Sequence, residues 1–290
     1  MKAFLVFPVA MAALPWSLRA QDTTTTATAD TAYAEYQESP ITLPLGVGLR
    51  IPSYDRVNGV TLPWGPQLAL GNGKLQLDAL VSYRSNLGNW DPSLEGLIRP
   101  SDATEIKLYV GRGTFTNDSW IRSDLYNSAA VLFVGSDARN YYRADRGSLR
   151  LTRTLTTAAA VLTPFIAGNI ERDWSTGSLA PQKTPWSFFG RKGTLKMRRA
   201  NPPVAKGRIN SLFGGSAIAF SRGGLDGKLD VQVEHAFEAP TFLCAEIPPV
   251  GPPACAEDAF TQTTLDGRVK FPTFGAHTFE FKAHAVLAGG

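Results

Sequence analysis

The sequence predicts an all-β fold, an antiparallel transmembrane β-barrel of the outer-membrane type, and three observations predict it. Apolar and polar residues alternate along many segments, the chain opens with an export-type leader, and the links between segments sort into short and long. Side chains of a strand point alternately to the two faces of a sheet, so alternation builds one apolar and one charged surface. Such a pair of surfaces fits lipid outside and a polar lumen inside.

Residues 1–20 read as a signal peptide. Lys2 supplies the positive start, Ala3–Trp16 is apolar, and Leu18-Arg19-Ala20 offers a small residue before Gln21. Pro8 and Pro15 interrupt a stretch already shorter than the ~20 apolar residues a spanning helix needs. Residues 21–43, with the run Thr23–Thr26, carry no core pattern and read as a flexible lead-in. Residues 44–290 are then the barrel domain.

Eleven candidate strands follow, at about 44–52, 59–70, 74–84, 104–115, 120–134, 147–156, 159–173, 208–221, 228–238, 259–271 and 277–288. The clearest set Leu75, Leu77, Ala79, Val81 and Tyr83 against Lys74, Gln76, Asp78, Ser82 and Arg84, with Leu80 the exception. Leu229, Val231, Val233 and Phe237 likewise oppose Lys228, Asp230, Gln232 and Glu234. In the last segment Phe279, Phe281, Ala283, Ala285 and Leu287 alternate with Thr278, Glu280, Lys282 and His284. Segment 208–221 leaves open which face is apolar. Arg153 and His235 break the pattern of theirs; a charge at mid-membrane costs ~2–4 kcal/mol, which places Arg153 near a rim or in a shifted register.

The links at 71–73, 116–119, 157–158, 222–227 and 272–276 are short, and those at 86–103, 135–146, 175–207 and 239–258 are long. A bacterial barrel sorts its connections this way, short turns on the periplasmic side and long loops outside. By that parity segment 277–288 runs outward, and the odd count means either one strand miscounted or, the reading preferred, an incomplete larger barrel.

Lys74, Asp78, Glu105, Lys107, Asp230, Glu234, Asp266, Arg268, Lys270, Glu280 and Lys282 are the expected lumen-facing charges, of mixed sign. The chain has 29 basic and 25 acidic residues, 27 against 25 once the leader is removed, so charge points to no nucleic-acid partner. Cys244 and Cys255 bracket a short proline-rich loop, and in an exported chain they read as a disulfide worth ~2–3 kcal/mol. Two clusters stand in long loops, Arg139-Asn140-Tyr141-Tyr142-Arg143 and Trp186, Phe188, Phe189, Arg191, Lys192, Arg198 and Arg199. They read either as contacts to lipopolysaccharide phosphates or as solvated loops with aromatics at the membrane interface.

No local motif pairs a serine with His235, His277 or His284, the only histidines, and no metal or cofactor pattern is present. The expectation is a non-enzymatic protein without cofactor. An outer-membrane hydrolase using one of those histidines is the outlying alternative.

Gly48-Leu49-Arg50-Ile51-Pro52-Ser53-Tyr54-Asp55-Arg56-Val57-Asn58-Gly59-Val60 resembles the opening hairpin of the bacterial surface antigen family, the barrel of outer-membrane assembly factors. There a Tyr/Phe-Asn-Arg-Val-Glu-Gly segment joins the first two strands; Tyr54, Arg56, Val57 and Gly59 match it, while Asp55 and Asn58 differ. The resemblance covers about a dozen residues. It implies a sixteen-stranded barrel preceded by periplasmic domains, for which the lead-in has no room, and the family's Val/Ile-Arg-Gly-Phe/Tyr signature is absent. The expectation is therefore a stand-alone or truncated relative in the outer membrane of a Gram-negative-type bacterium. Its role is in envelope structure or in passage of protein or solute, and its partners are membrane lipid, lipopolysaccharide and other envelope proteins. A passive porin-like channel and a soluble secreted β-sandwich binding protein are the alternatives.

Overall fold

A computed structural model describes residues 41–176, 186–189, 201–240, 258–274 and 277–289. It is an all-β, antiparallel, fourteen-stranded sheet that does not close on itself among the described residues. The signal segment, most of the lead-in, Cys244, Cys255 and the basic residues of 191–199 lie outside the described residues.

Four short strands come first: β1 (Ile41–Thr42), β2 (Ser53–Asp55), β3 (Gly59–Trp64) and β4 (Gln67–Leu70). The long strands are β5 (Leu75–Arg84), β6 (Asn89–Ser101), β7 (Thr104–Phe115), β8 (Tyr142–Arg153), β10 (Val161–Trp174), β11 (Gly207–Arg222), β12 (Leu225–Glu238), β13 (Phe260–Pro272) and β14 (Thr278–Gly289). A two-residue strand, β9 (Leu155–Thr156), continues β8 along β10. From β5 onward each long strand pairs with its neighbour in the chain.

Three expected elements are corrected. Segment 44–52 is no strand: it holds a 3-10 turn at Pro44–Gly46 and a single bridge, Leu49 to Trp64. Residues 86–103 are not a long loop, because β6 fills them. Pro92 and Pro100 hid this strand. The β6–β7 ladder begins only at Ser93–Gly111 and shifts register beyond Ile98, so both prolines sit where a missing donor is tolerated. Segment 120–134 is helical, with α1 at Asp124–Ala129 followed by a wider π-type turn at Ala130–Val134. Ser123 caps α1 by accepting from the Tyr126 amide at 3.4 Å, and left-handed Gly135 (φ 69°) ends the turn.

With those corrections the links still sort by end. One end carries only tight links, at 71–74, 102–103, 157–160, 223–224 and 273–277. The other carries 116–141, 175–206 and 239–259, and two short exceptions at 56–58 and 85–88.

The register relays one face across the whole sheet. Asp78 pairs with Glu95, Glu95 with Tyr109, Tyr109 with Ser148, Ser148 with Asn169 and Asn169 with Ser211. Phe213, on that side of β11, pairs with Glu234; Asp230 pairs with Asp266, and Asp266 with His284. The ambiguity of 208–221 thus resolves: Phe213, Ala217 and Ala219 share the charged face, where the Phe165 ring lies over Gly215, and Leu212, Ile218 and Phe220 lie opposite. Arg153 is opposite too, but as the last residue of β8, paired with Thr104 at the tight-turn end.

Burial is inverted relative to a water-soluble domain. Among the described residues the buried apolar side chains are Val131, Tyr141, Ala144, Ala236 and Ala239, outnumbered by thirteen buried polar ones. Leu108, Leu149, Leu151, Ile166, Ile170, Leu212, Leu229, Phe279, Phe281 and Leu287 are all exposed on the opposite face. No second layer of described elements covers them. No described helix is long and apolar enough to cross a membrane, which leaves strand-built spanning untouched.

Candidate functional site

The buried polar residues gather toward the end with the long connections, most of them on the charged face; Arg143, paired with Thr114, belongs by register to the face of Leu149. The construction begins with the β2–β3 turn. The Asp55 carboxylate accepts from the amides of Val57 (2.9 Å) and Asn58 (2.7 Å) and from the Asn58 side chain (2.6 Å), which bends the chain tightly. Gly59 follows at φ +68°, and a Cβ there would lie 2.4 Å from Ser85 Oγ, so only glycine fits.

This turn thrusts Arg56 inward, where 1% of it is exposed. Its amide donates to Asp137 (3.0 Å), and its guanidinium donates to the Arg139 carbonyl and to Asn201 Oδ1, both at 2.9 Å. The guanidinium also lies 5.7 Å from the centre of the Tyr141 ring. Asp137 further accepts from the Tyr141 hydroxyl (3.1 Å) and the Arg139 amide (3.1 Å), while Asn201 clasps both backbone groups of Tyr141. Three chain segments distant in sequence are thereby knotted around one cation. Burial pushes the Asp55 carboxyl above its ordinary range, because the cost of desolvation exceeds the help of its three donors. Burial likewise raises the Tyr141 phenol, with the nearby carboxylates of Asp55 and Asp137 adding to it.

Thr114 connects this knot to a second cluster: it donates to Asn58 Oδ1 (2.7 Å) and accepts from Arg143 (3.3 Å). Asp91, fully buried, takes a two-pronged contact from Arg143 (2.5 and 2.6 Å) and a further one from Arg84. A third cluster lies across the sheet. There Arg146 makes two bonds to Glu171 (2.6 and 2.8 Å) and donates to the Tyr142 hydroxyl, and Asp173, two residues on along β10, is buried on the same face. Two-pronged guanidinium–carboxylate pairs are the strongest of such contacts, and here they fix the strands at one depth.

Beside the first two clusters lies a cavity of about 490 Å³. Its walls include Leu80, Ser82 and Arg84 of β5, Ser93 and Glu95 of β6, and Tyr109 of β7. Helix α1 covers it with Asp124, Asn127 and Ser128, turning Leu125 and Tyr126 outward. The size suits a small molecule, and the lining is polar.

The expected lumen-facing charges are distributed as follows. Asp78 pairs with Arg50; Glu105 with Arg99 (3.5 Å) and Lys107 (2.9 Å); Asp230 with Lys228 (2.7 Å). Glu280 gathers Arg268 (3.7 Å), Lys270 (3.8 Å) and Lys282 (3.3 Å). Glu234 opposes Phe213 on the same face, and Lys74 stands at the turn into β5, its carbonyl accepting from the Arg99 amide. Apart from Glu234 and Lys74, these charges neutralise one another locally.

Tyr54, Arg56, Val57 and Gly59, singled out by their resemblance to a family hairpin, fall at the centre of the knot. Tyr54 itself donates to the Trp186 carbonyl (2.8 Å). The 139–143 cluster is corrected: Arg139, Tyr141 and Arg143 are buried in the network and are neither solvated nor free to meet phosphates. Trp186, Phe188 and Phe189 are exposed. Sequence reasoning missed Asp91, Asp137, Glu171 and Asn201. Asp91 stood in a segment taken for a loop, and the others had no local pattern to mark them.

Among the described residues no three potential metal ligands converge. His284 contacts Asp266 (2.6 Å) and His235 contacts Thr261 (3.0 Å), and no serine hydrogen-bonds a described histidine side chain. Comparison of the chain with protein-family models, with curated proteins and with solved structures finds no match.

Proposed function

We propose that the chain is a non-enzymatic β-barrel protein of the bacterial outer membrane, acting in envelope structure or in passage of protein or solute. The observation that carries this reading is the inversion of burial. Arginine, aspartate and asparagine are buried, most of them on the charged face or in the connections that cover it, while leucine, isoleucine and phenylalanine stand bare on the opposite face. In water the exposed face would cost roughly 25 cal/mol per Å² of apolar area; in hydrocarbon that cost vanishes. The segregation of tight and long links to opposite ends supports the same reading. The short Tyr54–Gly59 likeness supports kinship with the surface antigen barrels, with Arg56 as the residue that kinship and structure both single out.

The test is where the mature protein resides and what its apolar face tolerates. Leu108 and Leu149 oppose each other directly on β7 and β8. Leu108→Arg or Leu149→Arg is expected to cost ~2–4 kcal/mol and to deplete the protein from the detergent-extracted membrane fraction. Thr152→Arg, on the charged face, is expected to leave that fraction unchanged. Release of the wild-type protein without detergent would defeat the proposal and favour a soluble secreted β-sandwich binding module. A second reading, a passive porin-like channel, is favoured by the polar cavity and the balanced charges lining the same face.

A further inference from the structure

The connection leaving β7 does something that hairpin links do not. Trp120 lies flat on His284, with ring centres 4.3 Å apart and planes within 9°. His284 belongs to β14, six strand-to-strand steps from β7 along the sheet. It lies on the charged face, beside Asp266, which its Nδ1 contacts at 2.6 Å. A residue at the exit of β7 meets β14 only if the charged face curls around it, so the loop Thr116–Arg122 leans into the interior and reaches β14 through the Trp120 ring.

The crossing is anchored at its root. Asp118 accepts from the Asn140 amide (2.6 Å), its carbonyl accepts from the Ile121 amide (3.1 Å), and Arg122 donates to the Ser136 carbonyl (3.2 Å). Thr116 and Ser119 form part of the cavity wall on the way. At the far end the hold is the aromatic stack on a histidine that Asp266 orients. A broad covalent or sheet connection is absent there among the described contacts, so this end is the releasable one.

We propose that Thr116–Arg122 is an internal strap that blocks the polar interior, latched by Trp120 on the His284–Asp266 pair, and that small hydrophilic solutes pass only when the latch lets go. The inference rests on the membrane-barrel reading and deepens it from a barrel to a gated one. An open pore would leave its lumen wet along the whole axis; here the Trp120 ring stands against the opposite part of the polar face.

The experiment uses the full mature chain in vesicles of phosphatidylethanolamine and phosphatidylglycerol, and in planar bilayers of the same lipids. Co-flotation with the vesicles is scored first for every variant; failure of the wild type to float overturns the membrane reading and the strap with it. Given flotation, wild type is expected to conduct weakly. Trp120→Ala and His284→Ala are each expected to raise the open fraction roughly tenfold, the scale of one lost aromatic contact. Trp120→Phe should stay near wild type. Because both residues serve one latch, the double variant should open no further than either single one. Wild type conducting as freely as Trp120→Ala, or additive effects in the double variant, would overturn the strap while leaving the membrane reading intact.

Discussion

Asp55 and Arg56 are adjacent and both buried, yet they bear on stability in opposite ways. The Asp55 carboxyl holds its proton to a higher pH in the folded chain than in the unfolded one, where it titrates near 3.9. The folded state therefore binds more protons above that value, and stability contributed at low pH is lost as pH rises through the folded pKa. Asp55→Asn should flatten that part of the profile, read as unfolding midpoint against pH in detergent; an unchanged slope would show that Asp55 is not the group responsible. Arg56 is a permanent charge whose guanidinium donates to Asn201 and the Arg139 carbonyl and lies 4.0 Å from the Asp137 carboxylate. Replacing it with Met leaves Asp137 buried without its cation, a change expected to cost about 3–5 kcal/mol in denaturant unfolding. Tyr141→Phe removes a donor from the same carboxylate and an acceptor from the Asn127 side chain, with an expected cost of about 1–3 kcal/mol.

Among elements, the β2–β3 turn is the most demanding of its sequence. Gly59 and Gly88 both have positive φ, at 68° and 64°, but a Cβ at Gly88 meets nothing within 4 Å. Gly88→Ala should therefore lose only the conformational cost of about 1 kcal/mol, while Gly59→Ala should lose clearly more. Thermal midpoints of the two variants would decide; equal losses would mean that the Ser85 side chain simply moves aside. How legible the elements were depends on what interrupts their period. β5, β7, β12 and β14 alternate almost without fault, and the sequence locates them within a few residues. β6 was obscured because Pro92, Gly96 and Pro100 fall within it, though Trp90, Leu94 and Ile98 alternate with Asp91, Ser93 and Glu95. The helical stretch was read as a strand because Ala129–Val134 is a continuous apolar run, which periodicity cannot assign to helix or strand. Ser123-Asp124 as a cap and Gly135 as a stop were the signals available for it. The site was less legible than the elements. A local resemblance pointed to Arg56, but its partners come from positions 137, 139 and 201, brought together only by tertiary folding.

For the molecule as a whole, two features act together: a predominantly polar face relayed from Asp78 to His284 opposite a predominantly apolar one, and ends of unequal character. In the proposed bilayer setting, the end with links at 71–74, 102–103, 157–160, 223–224 and 273–277 presents almost nothing to drag through hydrocarbon. The opposite end carries long polar stretches, and forcing their charged groups across would be far more costly. Denatured protein diluted into preformed liposomes should consequently enter blunt end first and sit in a single orientation. A protease supplied afterwards in the bulk phase would then meet the same side of every inserted copy, trimming all of them rather than half.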